Sequence, residues 1–339
     1  MGGSTANDTD GAPTDGKASV PPVGVVGLGE IGRGLAGTLL RAGAAVTVCD
    51  VRPDATAPFA DRARVATSPA DLATDVRVVL VAVVDDDQVR AVVDGPDGLL
   101  AGFARAAEDG TANRAADGEG AVIVVVSTVT TGTVRDLAGR AADADVALVD
   151  CGVSGGPSAA AEGQLVCMVG GDAAAVERVQ PVLDAVGTDV LHMGPLGAGL
   201  SAKLARNLVQ YGSWLAAYEG QVLAEAAGID LALLARAIRT SDQRIGGAAT
   251  LMFRPTVAPL RPDVPTDAGL IEPMGAAARL AHKDLRAARE LADSLGVAVP
   301  VARLTDDYCD AIFGVGPTPG DRTAGVGQTP SGAMPGSPS

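Results

Sequence analysis

The chain has 339 residues, enough for two domains of ordinary size, with 47% hydrophobic residues, 2% aromatic residues and a formal net charge of −15. A core of that composition must be valine, leucine and alanine packing. A surface that acidic repels phosphate backbones and anionic lipid, which excludes nucleic acid and a membrane surface as partners and leaves an anionic ligand dependent on a locally basic pocket.

Residues 1–20 are polar, carry no apolar run and read as a disordered leader rather than a signal peptide. A β-branched run, VGVVG, occupies 23–27 and is followed by an apolar-periodic stretch through Leu35, Leu39 and Leu40. AVTVC at 45–49 is a second strand candidate. Further apolar runs at 76–84, 121–126 and 146–149 are continuous rather than alternating, which is the pattern of parallel strands buried on both faces. Helical stretches such as DQVRAVV and TVRDLAGRAA separate them, giving a βαβ reading. Residues 106–120 lack periodicity and read as a surface insertion before the fifth strand.

Past His192 the pattern changes. From Gly199 to Gly228, Leu200, Leu204, Leu208, Leu215 and Val222 recur near one face at helical spacing, and Gly228 suits the position just after a helix end. Helical stretches follow around 231–239, 275–294 and 300–313. The expected architecture is therefore an α/β Rossmann domain over 21–193, then an all-α C-terminal domain over 194–316. One long interdomain helix starting near Gly197 joins them. The Pro-, Gly- and Ser-rich stretch from Gly314 onward is expected to fray, with 317–339 a flexible tail. No apolar run approaches the ~20 residues of a spanning helix. Cys49, Cys151, Cys167 and Cys309 show no CxxC spacing and read as buried free thiols of a cytoplasmic protein. With two histidines, no metal site is expected.

GLGEIG at residues 27–32 fits GxGxxG between a strand and a helix. Gly27 permits the tight turn, Gly29 lets a pyrophosphate approach the backbone, and Gly32 lets the helix pack close. Leu28, Glu30 and Ile31 complete the loop, whose helix N-terminus favours an anion. Asp50, at the end of the second strand, is placed to accept from the adenosine ribose hydroxyls and to repel a 2′-phosphate, which favours NAD. Arg52 could instead pair with that phosphate, so NADP remains open. GVSGG at 152–156 reads as a turn, either a plain connector or a carboxylate-holding loop built from Ser154, Gly155 and Gly156. Lys203 and Asn207 are four apart and share a helix face at the expected domain junction. A lysine desolvated there has its pKa lowered toward neutrality, which suits proton transfer.

Together, GLGEIG, DCGVSGGPSAAAEGQL, GAGLSAKLARN and HKDLRAA resemble the β-hydroxyacid dehydrogenase family, over roughly residues 22–326. The resemblance implies that Lys203 is the general acid/base and that Asn207 helps hold the substrate. It implies that Ser154, Gly155 and Gly156 bind the substrate carboxylate, and that Lys283 and Asp284 stand beside the nicotinamide. Ser127 and Thr128 match the family's pair near the nicotinamide ribose, and Val83 and Val84 stand where many members have Leu-Pro. A homodimer or homotetramer is implied as well. TSDQRIGGAATL departs from the serine-rich segment of many members, leaving the substrate open. The expected reaction is hydride transfer between a nicotinamide cofactor and a small 3-hydroxy acid of the 3-hydroxyisobutyrate or D-glycerate type. An imine reductase of the same fold and a non-catalytic NAD-binding protein are the alternatives. The former usually lacks the lysine, and the latter has no need of Lys203, Asn207 and Lys283 together.

Overall fold

A computed structural model describes residues 20–108, 120–252, 254 and 256–317. The chain divides into two compact units at Arg206/Asn207. In the first, the order is β1 (Val23–Val26), α1 (Glu30–Arg41), β2 (Val46–Cys49), α2 (Pro53–Thr56), β3 (Arg64–Val65), α3 (Pro69–Ala73) and β4 (Val78–Val81). There follow α4 (Asp86–Asp94), α5 (Leu99–Glu108), β5 (Val122–Val125), α6 (Thr131–Asp143), β6 (Ala147–Ser154) and α7 (Gly156–Glu162). The unit closes with β7 (Leu165–Gly170), α8 (Ala173–Val186), β8 (Gly187–Gly194) and the start of α9 (Ala198–Ala226).

The eight strands form one sheet in the order β3-β2-β1-β4-β5-β6-β7-β8, parallel throughout except for the β6–β7 pair. Every residue of β1, β2, β4 and β5 is buried. Successive side chains on one strand point to opposite faces. Val78 and Leu80 of β4 accordingly join a core with Leu35, Leu39, Val179 and Leu183, whereas Val79 and Val81 join one with Leu72, Val93, Leu99 and Leu137. This is the doubly wound arrangement expected from continuous apolar runs.

Two features differ from the sequence reading. β7 and β8 extend the sheet beyond the apolar runs named above, and β6 runs on through Gly152, Val153 and Ser154. Residues 152–154 are thus not a turn: they pair antiparallel with β7, Gly152 opposite Met168 and Ser154 opposite Val166. The turn is confined to Gly155 and Gly156, at φ +130° and +76°. Residues 106–108 finish α5, and the rest of the predicted insertion lies outside the described residues, as do the leader 1–19 and the tail 318–339.

Four helices of this unit, α3, α4, α6 and α8, are capped by a local side chain. Ser68 accepts from Asp71 N at 3.0 Å, Asp85 from Gln88 N at 2.9 Å and Asp172 from Ala174 N at 3.0 Å. At α1 the cap residue is Gly29, and no side chain covers the first-turn amides.

The second unit holds the remainder of α9, α10 (Leu231–Ile245), α11 (Pro265–Leu295) and α12 (Pro300–Ile312). Asp230 caps α10, and Gly228 and Gly246 take positive φ beyond the ends of α9 and α10. Buried Glu219 of α9 accepts from Val301 N at 2.6 Å and Ala302 N at 2.7 Å, satisfying the first turn of α12. His282 of α11 contacts Asp306 (2.6 Å) and Asp310 (3.2 Å) of α12, and Arg289 also reaches Asp306. Gly314, assigned to the fraying tail, accepts from Leu260 N at 2.7 Å and is held in place.

Candidate active site

The glycine fingerprint stands at the C-terminal end of β1. The chain turns at Gly27, whose φ of +89° suits glycine and where a Cβ would lie 2.5 Å from the Ala82 carbonyl oxygen. Gly32 brings α1 so near this turn that a Cβ would overlap the Gly27 carbonyl oxygen and lie 2.9 Å from its carbon. At Gly29 an added Cβ meets nothing within 4 Å. Two glycines are therefore committed to packing, while the third leaves a gap beside the uncapped amides of α1. The Leu28 side chain is buried in the core, and its amide donates to Asp50 Oδ2 at 2.6 Å.

Asp50 also accepts from Arg52 N at 2.9 Å and Arg52 Nε at 3.3 Å. Burial pushes its carboxyl up, but the bonds from Leu28 and Arg52 and the Arg52 charge outweigh this and hold it below the usual range. Arg52 keeps its side chain 56% exposed. Gly27, Gly29, Asp50, Arg52, Val83 and Val84 line a cleft of about 650 Å³. The gap at Gly29, the free amides of α1 and the carboxylate at the end of β2 fit an adenine dinucleotide: diphosphate at the amides, ribose at Asp50.

A second cleft, of about 430 Å³, adjoins the first and shares Gly29, Ala82, Val83 and Val84 with it. Its lining also includes Glu30, Ile31, Ser127, Thr128, Gly156 and Lys203. Ser127 is buried; its hydroxyl accepts from Val83 N at 2.9 Å and donates to Val81 O at 3.3 Å, which pins the loop after β4. Val84 is exposed where Leu-Pro is usual in the family. Lys203 is half-buried in the second turn of α9. Burial, and secondarily the charge of Arg206, lowers the pKa of its ammonium.

The structure thus gathers the fingerprint loop, Asp50, Arg52, Val83, Val84, Ser127, Thr128, Gly156 and Lys203 around two adjoining clefts. Ser154 and Gly155 precede Gly156 and lie outside the lining. Asn207, Lys283 and Asp284 belong to the second unit. There Asn207 is half-buried on α9, and Lys283 pairs with Asp284 on α11 at 3.2 Å, both side chains exposed. Among the described residues no cluster of three or more His, Cys, Asp or Glu is set to hold a metal ion, and no helix is long and apolar enough to cross a membrane.

Sequence reasoning assigned no role to Asp150. Completely buried, it accepts from Gly197 N at 2.6 Å and Leu200 N at 2.7 Å, the amides around the start of α9. Burial pushes its carboxyl above the usual range against the opposing effect of these bonds. The sequence shows only that an acid ends the apolar run VALV, as Asp50 ends VTVC, and says nothing of its partners 47 and 50 residues away.

Two family descriptions cover the chain. Residues 22–194 match the NAD binding domain of 6-phosphogluconate dehydrogenase, and residues 197–326 match the NAD-binding domain of NADP-dependent 3-hydroxyisobutyrate dehydrogenase. An uncharacterized oxidoreductase of Mycobacterium tuberculosis H37Rv is 36% identical over 87% of this chain and 94% of its own length. The NAD-dependent L-serine dehydrogenase of Pseudomonas aeruginosa PAO1 is 30% identical over 83% of this chain and 89% of its own. A crystal structure from Mycobacterium avium 104, described as an oxidoreductase, superposes with a TM-score of 0.74 at 36% identity, covering 86% of this chain and 98% of that one.

Proposed function

We propose that this chain, which belongs to the β-hydroxyacid dehydrogenase family and is a nicotinamide-dependent oxidoreductase, oxidises a small 3-hydroxy acid reversibly, with Lys203 as its general acid/base. The observation that carries this reading is the placement of Lys203. It is half-buried, lowered in pKa, and lines the cleft that adjoins the dinucleotide-binding residues. The lowered pKa enlarges the neutral fraction of the amine, the form that can take a hydroxyl proton, and a positioned base typically contributes ~10²–10⁴-fold.

The dinucleotide supplies the hydride acceptor when bound. Gly29 and the first-turn amides of α1 would hold its diphosphate, Asp50 would accept from its adenosine ribose, and Val83, Val84 and Thr128 would line the part of the cleft that takes its nicotinamide half. Gly156, which lines the cleft, with Ser154 and Gly155 joined to it by their shared motif, orients the substrate carboxylate, while Ser127 borders the same cleft and holds the loop after β4 in place. Lys203 Nζ accepts the hydroxyl proton as the carbinol carbon loses hydride, and returns it in the reductive direction. Asn207, Lys283 and Asp284 join this reading on the strength of the motifs that contain them. The substrate class is supported by the Pseudomonas relative, whose named substrate L-serine is itself a 3-hydroxy acid. We place the enzyme in the cytoplasm as a homodimer or homotetramer. The apolar side chains that α9 exposes, Leu208 at 74%, Trp214 at 59% and Leu215 at 55%, support self-association.

A panel of small hydroxy acids, each paired with its methyl ester, assayed with NAD and with NADP at the nicotinamide absorbance, tests the proposal. Turnover of the free 3-hydroxy acids far above their esters is the expected result. Equal rates on neutral alcohols, or reduction of imines alone, overturn it.

A further inference from the structure

We infer that Asp150 is a positioning residue, a buried carboxylate that anchors the first turn of α9 to the end of β6 and so aims Lys203 into the cleft. The anchoring stands on geometry alone; its meaning for catalysis rests on the general-base role proposed for Lys203.

The two oxygens of Asp150 bond on either side of the helix start: Oδ1 accepts from Gly197 N, before α9, and Oδ2 from Leu200 N, within its first turn. Two convergent bonds fix rotation of the helix about its axis as well as its distance from the sheet. The Leu200 side chain, completely buried, adds a third constraint. Lys203 follows three residues on, so its direction is set by these contacts.

The strand completes the arrangement. Residues two apart on a strand share a face, and Gly152 follows Asp150 by two. A Cβ at Gly152 would overlap Lys203 Cβ and lie 2.9 Å from Gly199 O and 3.1 Å from Lys203 Cγ. One face of β6 therefore holds the helix with a carboxylate and, one step along, makes room for the lysine stem with a missing side chain. Gly199 keeps the helix down on the sheet, since a Cβ there would lie 2.8 Å from Gly170 N and 2.9 Å from Asp150 O.

A capping role alone does not require a buried charge. Ser68 caps α3 with a neutral side chain, whereas desolvating a carboxylate costs several kcal/mol before its bonds are counted. The carboxylate accepts from two separated amides at once and opposes the positive pole of the helix. Of the other charged groups, Glu30 from α1 lines the same cleft, and the charge of Arg206 on α9 itself acts on the ammonium. Loosening the anchor lets Lys203 swing toward water, so its pKa rises back toward the ordinary lysine value.

The primary readout is Lys203 itself and needs no substrate; turnover is read beside it. In the full-length protein, the pH dependence of Lys203 reductive methylation is followed by peptide mass spectrometry for wild type, Asp150→Asn and Gly152→Ala. The second variant displaces the lysine without touching the carboxylate, and it serves if Asp150→Asn does not fold. The labelling midpoint should rise by about half a pH unit or more in each folded variant. NAD affinity should be unchanged, and turnover should fall ~10-fold or more with its pH profile moved to higher pH. A simple loss of folded protein lowers turnover without moving either midpoint. A folded variant whose Lys203 labels at the wild-type midpoint overturns the inference. If the midpoints move but Lys203→Ala keeps full turnover, the anchor stands and the base role fails, taking the catalytic meaning of Asp150 with it.

Discussion

Gly29→Ala and Gly32→Ala separate binding from packing within one six-residue loop. Gly29 has φ −65°, which alanine adopts freely, and its added methyl meets no protein atom within 4 Å. The free protein should therefore keep its stability to within about 0.5 kcal/mol. The methyl occupies the gap assigned to the diphosphate, and NAD affinity should drop at least ~10-fold, about 1.4 kcal/mol. At Gly32 the new Cβ sits 2.9 Å from the Gly27 carbonyl carbon, against an ordinary carbon–carbon contact of ~3.5 Å, and overlaps the carbonyl oxygen still more, so α1 must retreat by more than the roughly 0.6 Å the carbon alone demands. Overpacking of backbone against backbone costs about 1–3 kcal/mol, or some 2–4 °C of melting temperature per kcal/mol for a unit of this size. Calorimetric titration with NAD and a thermal melt of each variant read both quantities. Wild-type NAD affinity in Gly29→Ala, or an unshifted melt in Gly32→Ala, refutes the reasoning.

Asp50→Ala removes the acceptor assigned to the ribose and the repulsion of a 2′-phosphate. The Michaelis constant for NAD should rise about tenfold while NADP use improves, and a wild type that already prefers NADP would show that Arg52 dominates. His282, whose bonds to Asp306 and then Asp310 raise its pKa, stabilises the α11–α12 contact fully below the unfolded value of ~6.5, and this contribution is lost as pH rises through the raised folded value. The gap in melting temperature between wild type and His282→Gln should be wide near pH 5.5 and shrink toward pH 9; a gap independent of pH contradicts the charged contact. Glu219→Ala leaves the amides of Val301 and Ala302 without their acceptor, which should cost about 1–3 kcal/mol. Faster hydrogen exchange confined to α12 and its neighbours checks this, and unchanged exchange refutes it.

The parallel sheet was legible because strands covered on both faces have to be apolar at consecutive positions, as in VVLV and VIVV. The fingerprint was legible because its glycines answer to local sterics, and Gly27 and Gly32 are indeed walled in while Gly29 is open. β8 left no such trace: GTDVLHMG lies at the sheet edge, largely exposed, with polar residues interrupting its apolar ones. The extent of β6 depended on β7, a partner reached only after Gly163 reverses the chain, so residues 152–154 looked like loop. Asp150 was out of reach for the same reason. Its partners lie 47 and 50 residues away, and a cap supplied from another element has no local spacing to betray it. Leu204, Leu208 and Leu215 fit a helical apolar face by spacing, yet they stand exposed, because periodicity shows which side of a helix is apolar and not what covers it.

The most direct measurement of the central claim is the turnover of Lys203→Ala beside its NAD affinity, on a hydroxy acid that the wild type oxidises. A general base acts on the substrate oxygen and not on the dinucleotide, so turnover should fall by ~10² or more while the dissociation constant for NAD stays at the wild-type value. Turnover within a few-fold of wild type, with NAD still bound, would contradict the assignment of Lys203 as the proton-transfer group.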